Sequence, residues 1–157
     1  MTNKELAETA LRAVEQSPDG IIFADRQGTV RLWNPAAARI FGYSPAEAVG
    51  QSLDIIVPAR FRQDHWSGYC QAIAEGKTRY AGQALPTRSV RKDGTPIYVE
   101  LTFAIIHHTD GEILGAMANV REITERYQRE RELRNRLKEL EGQVAELGGA
   151  LPSRHAE

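Results

Sequence analysis

The chain has 157 residues, 41% of them apolar, which is enough for one core of ordinary size but not for two. Its 20 basic and 21 acidic residues give a formal net charge of −1, so no bulk attraction draws it to nucleic acid or to an anionic membrane. The single cysteine, Cys70, excludes an internal disulfide and a cysteine-based metal site. The sequence shows no signal peptide and no run of about eighteen apolar residues, and we therefore expect a cytoplasmic protein without membrane contacts.

The chain opens with a helical pattern followed by a hairpin pattern. Residues 3–16 carry apolar side chains at helical spacing, and we assign 1–17 to an N-terminal amphipathic helix. Two short apolar runs follow at 20–24 and 29–33, and the residues between them contain the Asp and Gly of a tight turn. We expect the two runs to pair as antiparallel strands.

Residues 34–57 are predicted to form short helices joined by turns. Asn34 precedes Pro35 in the arrangement of an N-cap followed by a first-turn proline. Ser44 and Glu47 have the spacing of a capping box at a second helix start.

A longer helix is predicted over residues 58–74. Four of its side chains recur every four residues and so share one face, which must look inward: Phe61, His65, Tyr69 and Ile73.

Strand patterns follow at 79–91, 95–107 and 112–123, and the middle one alternates cleanly between apolar and polar residues. With the hairpin, this predicts an α+β domain at 18–123. Its sheet is expected to be five-stranded and antiparallel, with the helices inserted between the second and third strands.

Residues 124–148 form a highly charged helical segment. Its apolar residues are spaced alternately by four and three, which is the heptad seam of a coiled coil: Leu133, Leu137, Leu140, Val144 and Leu147. We expect a homodimer through residues 123–147 and a flexible tail at 149–157.

Five short motifs occur in this order, at 33–37, 41–44, 50–53, 91–95 and 120–126. Together they resemble PAS sensory domains of the S-box type over residues 10–126. The resemblance implies a PAS fold and a signal-transduction role. In that family the last motif joins the final strand to the outgoing helix through an aspartate, here Glu122, whose carboxylate bonds back to the domain. The simpler alternative is that Thr124 caps the helix.

The segment 57–69 resembles haem-binding PAS sensors of the rhizobial oxygen-sensing kinase type, which carry a histidine in the long helix and a tyrosine four residues later. The resemblance implies haem b with His65 as the ligand of the iron, and with Tyr69 and Phe61 on the same face. A neutral imidazole on an apolar helix face suits axial ligation.

Other positions depart from those sensors. Their gas-facing arginine corresponds to Leu85, which cannot donate a hydrogen bond, and Gln83 is the alternative donor. One propionate partner corresponds to Gln71, and the other is retained as Arg79 in place of a histidine. The pattern therefore favours sensing of CO, NO or a redox state over stable oxygen binding.

Alternatives stay open at this point. His65 is equally read as a core histidine satisfied by a backbone carbonyl, which leaves a cofactor-free dimerisation scaffold or a pocket for a small organic ligand. Light-sensing flavin domains carry a cysteine at the segment that is 50–54 here, and this chain lacks it, so only oxidised flavin stacked on Trp66 remains. Cys70 is interpreted as a small buried residue.

No paired carboxylates, nucleophile elbow, phosphate loop or metal-ligand spacing is found, and we expect no enzyme activity. The sequence instead predicts a sensory module that passes its state to the coiled-coil helix. A kinase or another effector, in cis or in trans, is the expected output partner.

Overall fold

The computed structural model describes residues 1–80 and 82–149, which fall into two compact units, one ending at Ile123 and one beginning at Thr124. The predicted flexible tail lies outside the described residues beyond Gly149, and the predicted domain bounds stay predictions. In chain order the first unit contains α1 (Asn3–Glu15), β1 (Gly20–Asp25), β2 (Val30–Trp33), α2 (Pro35–Phe41), α3 (Pro45–Ala48), α4 (Arg62–Glu75), β3 (Leu85–Val90), β4 (Pro96–His107) and β5 (Ile113–Glu122).

The five strands form one antiparallel sheet in the order β2-β1-β5-β4-β3, with α2, α3 and α4 inserted between β2 and β3. The predicted α+β class and the predicted pairing of the hairpin are therefore confirmed. The last strand in the chain, β5, lies at the centre of the sheet, between the first strand, β1, and β4. This arrangement closes the sheet only when the two ends of the domain meet.

Asn34 holds the start of α2 against the sheet. Its side-chain oxygen accepts hydrogen bonds from the backbone N–H of Ile21 at 2.8 Å and of Ala37 at 3.0 Å. Its amide nitrogen donates to the carbonyls of Val14 and Asp19, each at 3.0 Å. Because the side chain is only 3% exposed, these four bonds offset the cost of burying it. The predicted caps at Asn34 and at Ser44 are both present.

The core lies between the inner face of the sheet and α2. Trp33 packs on Phe41 with ring centroids 5.4 Å apart, and its indole N–H donates to the Tyr43 carbonyl at 3.0 Å. The inner faces of the central strands supply further buried side chains, such as Ile22, Val99 and Val120. Aliphatic side chains at alternate positions of neighbouring strands thus form one wall of the domain.

Two predicted elements have different bounds. The strand predicted from residue 79 begins only at Leu85, and Pro86 sits in it without disrupting the sheet because β3 is an edge strand. The long helix predicted from residue 58 begins at Arg62 and is preceded by a 3₁₀ turn, Ala59–Phe61. No residue of α4 is fully buried.

Gly115 in β5 is required by a close approach to β1. A Cβ at this position would lie 2.0 Å from the Ala24 carbonyl oxygen and 2.9 Å from the Asp25 Cα. We expect Gly115→Ala to lower the free energy of unfolding by about 2–3 kcal/mol, because the backbone cannot move without breaking the sheet. Gly68→Ala, in α4 with open space around it, should instead raise it by about 0.5–1 kcal/mol. Urea unfolding measures both, and equal stabilities would contradict the packing argument.

The second unit contains the helix α5 (Thr124–Gly149), which confirms the predicted outgoing helix. It extends to Gly149, the last of the described residues. All five seam residues are exposed in the single chain, from 43% for Leu140 to 70% for Leu147. Within residues 1–80 and 82–149, no helix has the length and apolar character to cross a membrane.

Candidate ligand-binding site

A cavity of about 490 Å³ lies within the first unit. Its walls are the inner faces of β1, β3, β4 and β5, the 3₁₀ turns Leu53–Ile55 and Ala59–Phe61, and the first two turns of α4. Most of the lining is apolar, for example Ile22, Leu101, Phe103 and Met117, and a few polar residues lie on α4 and β3. This size and lining are typical of sites that bury a small ligand or cofactor.

His65 lies in the first turn of α4 and borders this cavity. Its Nδ1 atom is buried and, among the described residues, has no hydrogen-bond partner. Burial lowers the pKa of the imidazole below its ordinary value, and the carboxylate of Asp54 offsets part of that effect. The ring is therefore neutral at pH 7 and has one lone pair available. The alternative interpretation, a core histidine hydrogen-bonded to a backbone carbonyl, therefore finds no such bond at Nδ1 within the described residues.

Tyr69 lies one turn further along α4 and also borders the cavity. Its hydroxyl donates to the backbone carbonyl of Asp25 at 2.5 Å, with the carbonyl of Ala24 at 3.2 Å. Burial raises the pKa of the phenol to about 12. Its polar end is thus committed to the end of β1, which ties α4 to the sheet.

This pKa predicts an alkaline loss of stability. The ordinary tyrosine pKa is 10.0, so above pH 10 the unfolded chain releases the Tyr69 proton while the folded chain keeps it. The Tyr69 contribution is fully present below pH 10 and is lost as the pH rises through about 12. Urea unfolding across this range should show a shallower decline for Tyr69→Phe than for the unsubstituted protein. A matched Tyr80→Phe substitution, at an exposed tyrosine, should leave the decline unchanged, and an identical slope in all three proteins would contradict the prediction.

The other predicted contacts are divided. Phe61 borders the cavity and is 39% exposed, whereas Arg79, Gln83 and Leu85 are not among its lining residues. Arg79 instead donates to Gln71 Oε1 at 3.1 Å on the outer side of α4, so the two predicted propionate positions bond to each other. Cofactor contacts by Arg79, Gln83 and Leu85 stay predictions.

Two further side chains of α4 were considered in the sequence. Cys70 was predicted to be buried but is exposed, because α4 turns only a narrow face toward the sheet. Trp66 is not among the lining residues of the cavity, and the stacking of a flavin on it stays a prediction. Its indole N–H donates to Asp54 Oδ1 at 2.8 Å.

A second feature lies at the end of the sheet, where the chain leaves for α5. Glu122, the last residue of β5, accepts a 2.5 Å hydrogen bond from Arg91 Nη2. The Nε atom of Arg91 donates to the carbonyl of Ile40 in α2 at 3.1 Å. The expected bond from the Glu122 carboxylate back to the domain is therefore confirmed.

The family model described as the PAS fold matches residues 14–128, which is most of the chain. The chain belongs to the PAS family. Its cavity and its exit joint are therefore the cavity and the exit joint of a PAS domain, and the resemblance drawn from the five motifs is confirmed.

Curated relatives and solved structures agree with this assignment. The chain is 29% identical over 89% of its length to the sensor protein FixL of Bradyrhizobium diazoefficiens, of which the match covers 27%. It is 32% identical over 76% of its length to the signal transduction histidine-protein kinase AtoS of Escherichia coli, of which it covers 19%. The PAS domain structure of a protein from Colwellia psychrerythraea shares the fold, with a TM-score of 0.67, 24% identity, and coverage of 76% of this chain and 98% of that one. The chain thus spans less than a third of the length of these two curated relatives.

The sequence interpretation missed a polar strip on the inner face of β3 in this PAS domain. Ser89 is 5% exposed, borders the cavity and donates its hydroxyl to the Ile56 carbonyl at 2.5 Å. Thr87, two residues earlier on the same face, donates to its neighbour Leu85 at 3.3 Å. Each hydroxyl oxygen retains its capacity to accept a hydrogen bond. The alternation of Thr87 and Ser89 was the available signal, but it lay within a strand whose predicted start was six residues too early.

Proposed function

We propose that this PAS domain is a sensory module that binds a small ligand or cofactor beside His65 and relays its presence to α5, with haem b as the leading candidate. The observation that carries the proposal is the Nδ1 atom of His65, which is buried at the wall of a largely apolar cavity and has no hydrogen-bond partner in the part of the chain that the structure describes. A buried polar atom that no protein group satisfies is a natural contact for a bound group.

The residues present fit haem in kind. His65 would ligate the iron through its neutral imidazole, and Phe61 and the aliphatic side chains of β1, β4 and β5 would contact the macrocycle. When bound, the group would supply reversible binding of a diatomic gas or a change of redox state. The side chains of Leu101, Phe103 and Met117 offer no hydrogen-bond donor, so a gas site beside them would favour CO or NO over a long-lived oxygen complex.

The relay is proposed to run through the joint at Glu122 into α5. A homodimer through residues 123–147 would bury the exposed seam, and a kinase or other effector in cis or in trans would read the change. Two relatives support an effector of this kind, since FixL is named a sensor protein and AtoS a histidine-protein kinase. We propose that the PAS domain itself is a binding module without catalytic activity.

The test is the optical spectrum of the protein expressed with a haem precursor, then reduced and exposed to CO. We expect a Soret band that sharpens and shifts with CO, with one haem per chain by pyridine haemochrome assay. A protein that carries no porphyrin after expression and after titration with haemin would exclude haem as its cofactor.

A small organic ligand is the second candidate, and the Thr87 and Ser89 hydroxyl oxygens favour it. These oxygens accept hydrogen bonds, so they would select a molecule with an apolar body and one donor group. Thermal-shift measurements with hexanol and with hexanoate distinguish the candidates. Stabilisation by the alcohol alone, in protein that binds no haemin, would support the second one.

A further inference from the structure

Trp66 follows His65 in the chain and is fixed at two points outside the cavity lining. Its indole N–H donates to the carboxylate of Asp54, in the 3₁₀ turn Leu53–Ile55, at 2.8 Å. Its six-membered ring lies so close to Gly28, in the turn between β1 and β2, that a Cβ there would come within 2.2 Å of it. The indole is thereby held between two separate segments of the domain.

The imidazole of His65 contacts this fixed ring. The centroids of His65 and Trp66 are 4.9 Å apart with their planes at 77°, an edge-to-face arrangement. The ring of Tyr69 completes a cluster of three, with its centroid 6.0 Å from that of His65 and 5.6 Å from that of Trp66. Since Tyr69 is hydrogen-bonded to Asp25, both rings beside the imidazole are anchored to the protein.

The imidazole itself lacks the usual anchor. A histidine at a functional site is usually oriented by a hydrogen bond between a ring nitrogen and a carboxylate, a carbonyl or water. Among the described residues, Nδ1 of His65 has no such partner. The backbone does not compensate, since α4 has no fully buried residue to fix the helix by packing alone.

We propose that Trp66 and Asp54 are positioning residues for His65, acting through the anchored indole in place of a hydrogen bond to the imidazole. Asp54 fixes the indole, and the indole fixes the plane of the imidazole at the cavity wall. The expected effect of these residues on ligand binding rests on the proposed function. Their expected effect on the orientation of the His65 ring in the ligand-free protein does not.

Histidine ring ¹⁵N resonances of the ligand-free protein test the first half. Trp66→Phe keeps an aromatic ring but removes the donor, and Asp54→Ala removes the acceptor. Both should shift or broaden the His65 ring signals relative to the unsubstituted protein, because the imidazole then samples several orientations. Asp54→Asn keeps a side-chain oxygen that accepts from the indole and should restore the original signals.

Trp33→Phe is the matched control, because Trp33 also donates a 3.0 Å indole hydrogen bond, to Tyr43, but is not among the rings that contact His65. It should leave the His65 ring signals in place. His65 signals that stay unchanged in both Trp66→Phe and Asp54→Ala would overturn the proposal. So would equal changes in Trp33→Phe, which would show a general loss of packing.

Haemin transfer to apomyoglobin tests the second half. If haem binds, its loss rate should rise by about 10- to 100-fold in Trp66→Phe and Asp54→Ala and return toward the original in Asp54→Asn. Altered ring signals in a protein that binds no haemin would support the positioning role and reject the haem proposal. Haem binding with unchanged haem-loss rates and unchanged ring signals in the variants would support the haem proposal and reject the positioning role.

Discussion

Replacing His65 by alanine should remove the Soret band of the haem-loaded protein, or leave only the broad band of loosely held porphyrin. Haemin affinity should fall by at least about tenfold, because the iron loses the imidazole of His65 at the cavity wall. Folding should be retained, since the substitution removes a buried nitrogen that has no hydrogen-bond partner within residues 1–80 and 82–149. Absorption spectroscopy during haemin titration measures the change.

Two further measurements decide whether the loss is specific. Added imidazole should restore a six-coordinate spectrum in His65→Ala, because a free imidazole can occupy the space of the missing ring. His108→Ala is the matched control, as His108 lies in an exposed turn beside Asp110. An unaltered Soret band in His65→Ala would remove His65 as the ligand.

Aspartate at both Leu137 and Leu140 should convert a dimeric protein into monomers. The two leucines are 57% and 43% exposed in the single chain, so a dimer would bury four such side chains, at about 1.5–3 kcal/mol each for full burial. Four carboxylates in the seam would add desolvation and repulsion. Sedimentation equilibrium should show a rise of several orders of magnitude in the dimer dissociation constant.

The controls use the outer face of the same helix. Gln128→Asp with Asn135→Asp adds the same charge at the two heptad positions furthest from the seam and should leave the dimer intact. Gly142→Ala, with open space around it, should tighten the dimer by stabilising the helix by about 1 kcal/mol. If the protein with both leucines substituted remains dimeric, the dimer contact would have to lie in α1 or on the sheet instead.

The seam also explains why part of α5 should respond to a signal. Continuing the heptad backward places Arg126 and Glu130 at core positions, and in the structure these two side chains face each other at 3.8 Å along the same helix. Polar core positions weaken a coiled coil while fixing its register. We therefore expect residues 123–132 to be the part of the dimer that shifts.

The architecture was predictable because its signals are local. Asn34, Ser44 and the alternation of β4 each specify a helix start or a strand within a few residues. The bounds of β3 were harder to predict, since an edge strand pairs on one side only and its residues carry a weaker pattern. The sequence also could not show that Pro86 is tolerated there.

The site was predictable only in part. Helical spacing correctly placed His65 and Tyr69 on the cavity side of α4, because that argument needs the helix alone. The partner of Trp66 lies twelve residues away at Asp54, and that of Tyr69 lies 44 residues away at Asp25. Such contacts depend on how segments meet, which no local pattern records. The exposure of Cys70 was missed for the same reason.

The position of β1 beside β5 has a consequence for synthesis on the ribosome. Pairing between Gly20 and Val120, and along the rest of these strands, cannot form until residues 113–122 have left the exit tunnel. Until then, the β1–β2 hairpin and the β3–β4 pair each present an open edge to other chains. A nascent chain truncated before Ile113 should therefore be protease-sensitive and prone to aggregate, whereas release of ten more residues should close the sheet in one late step.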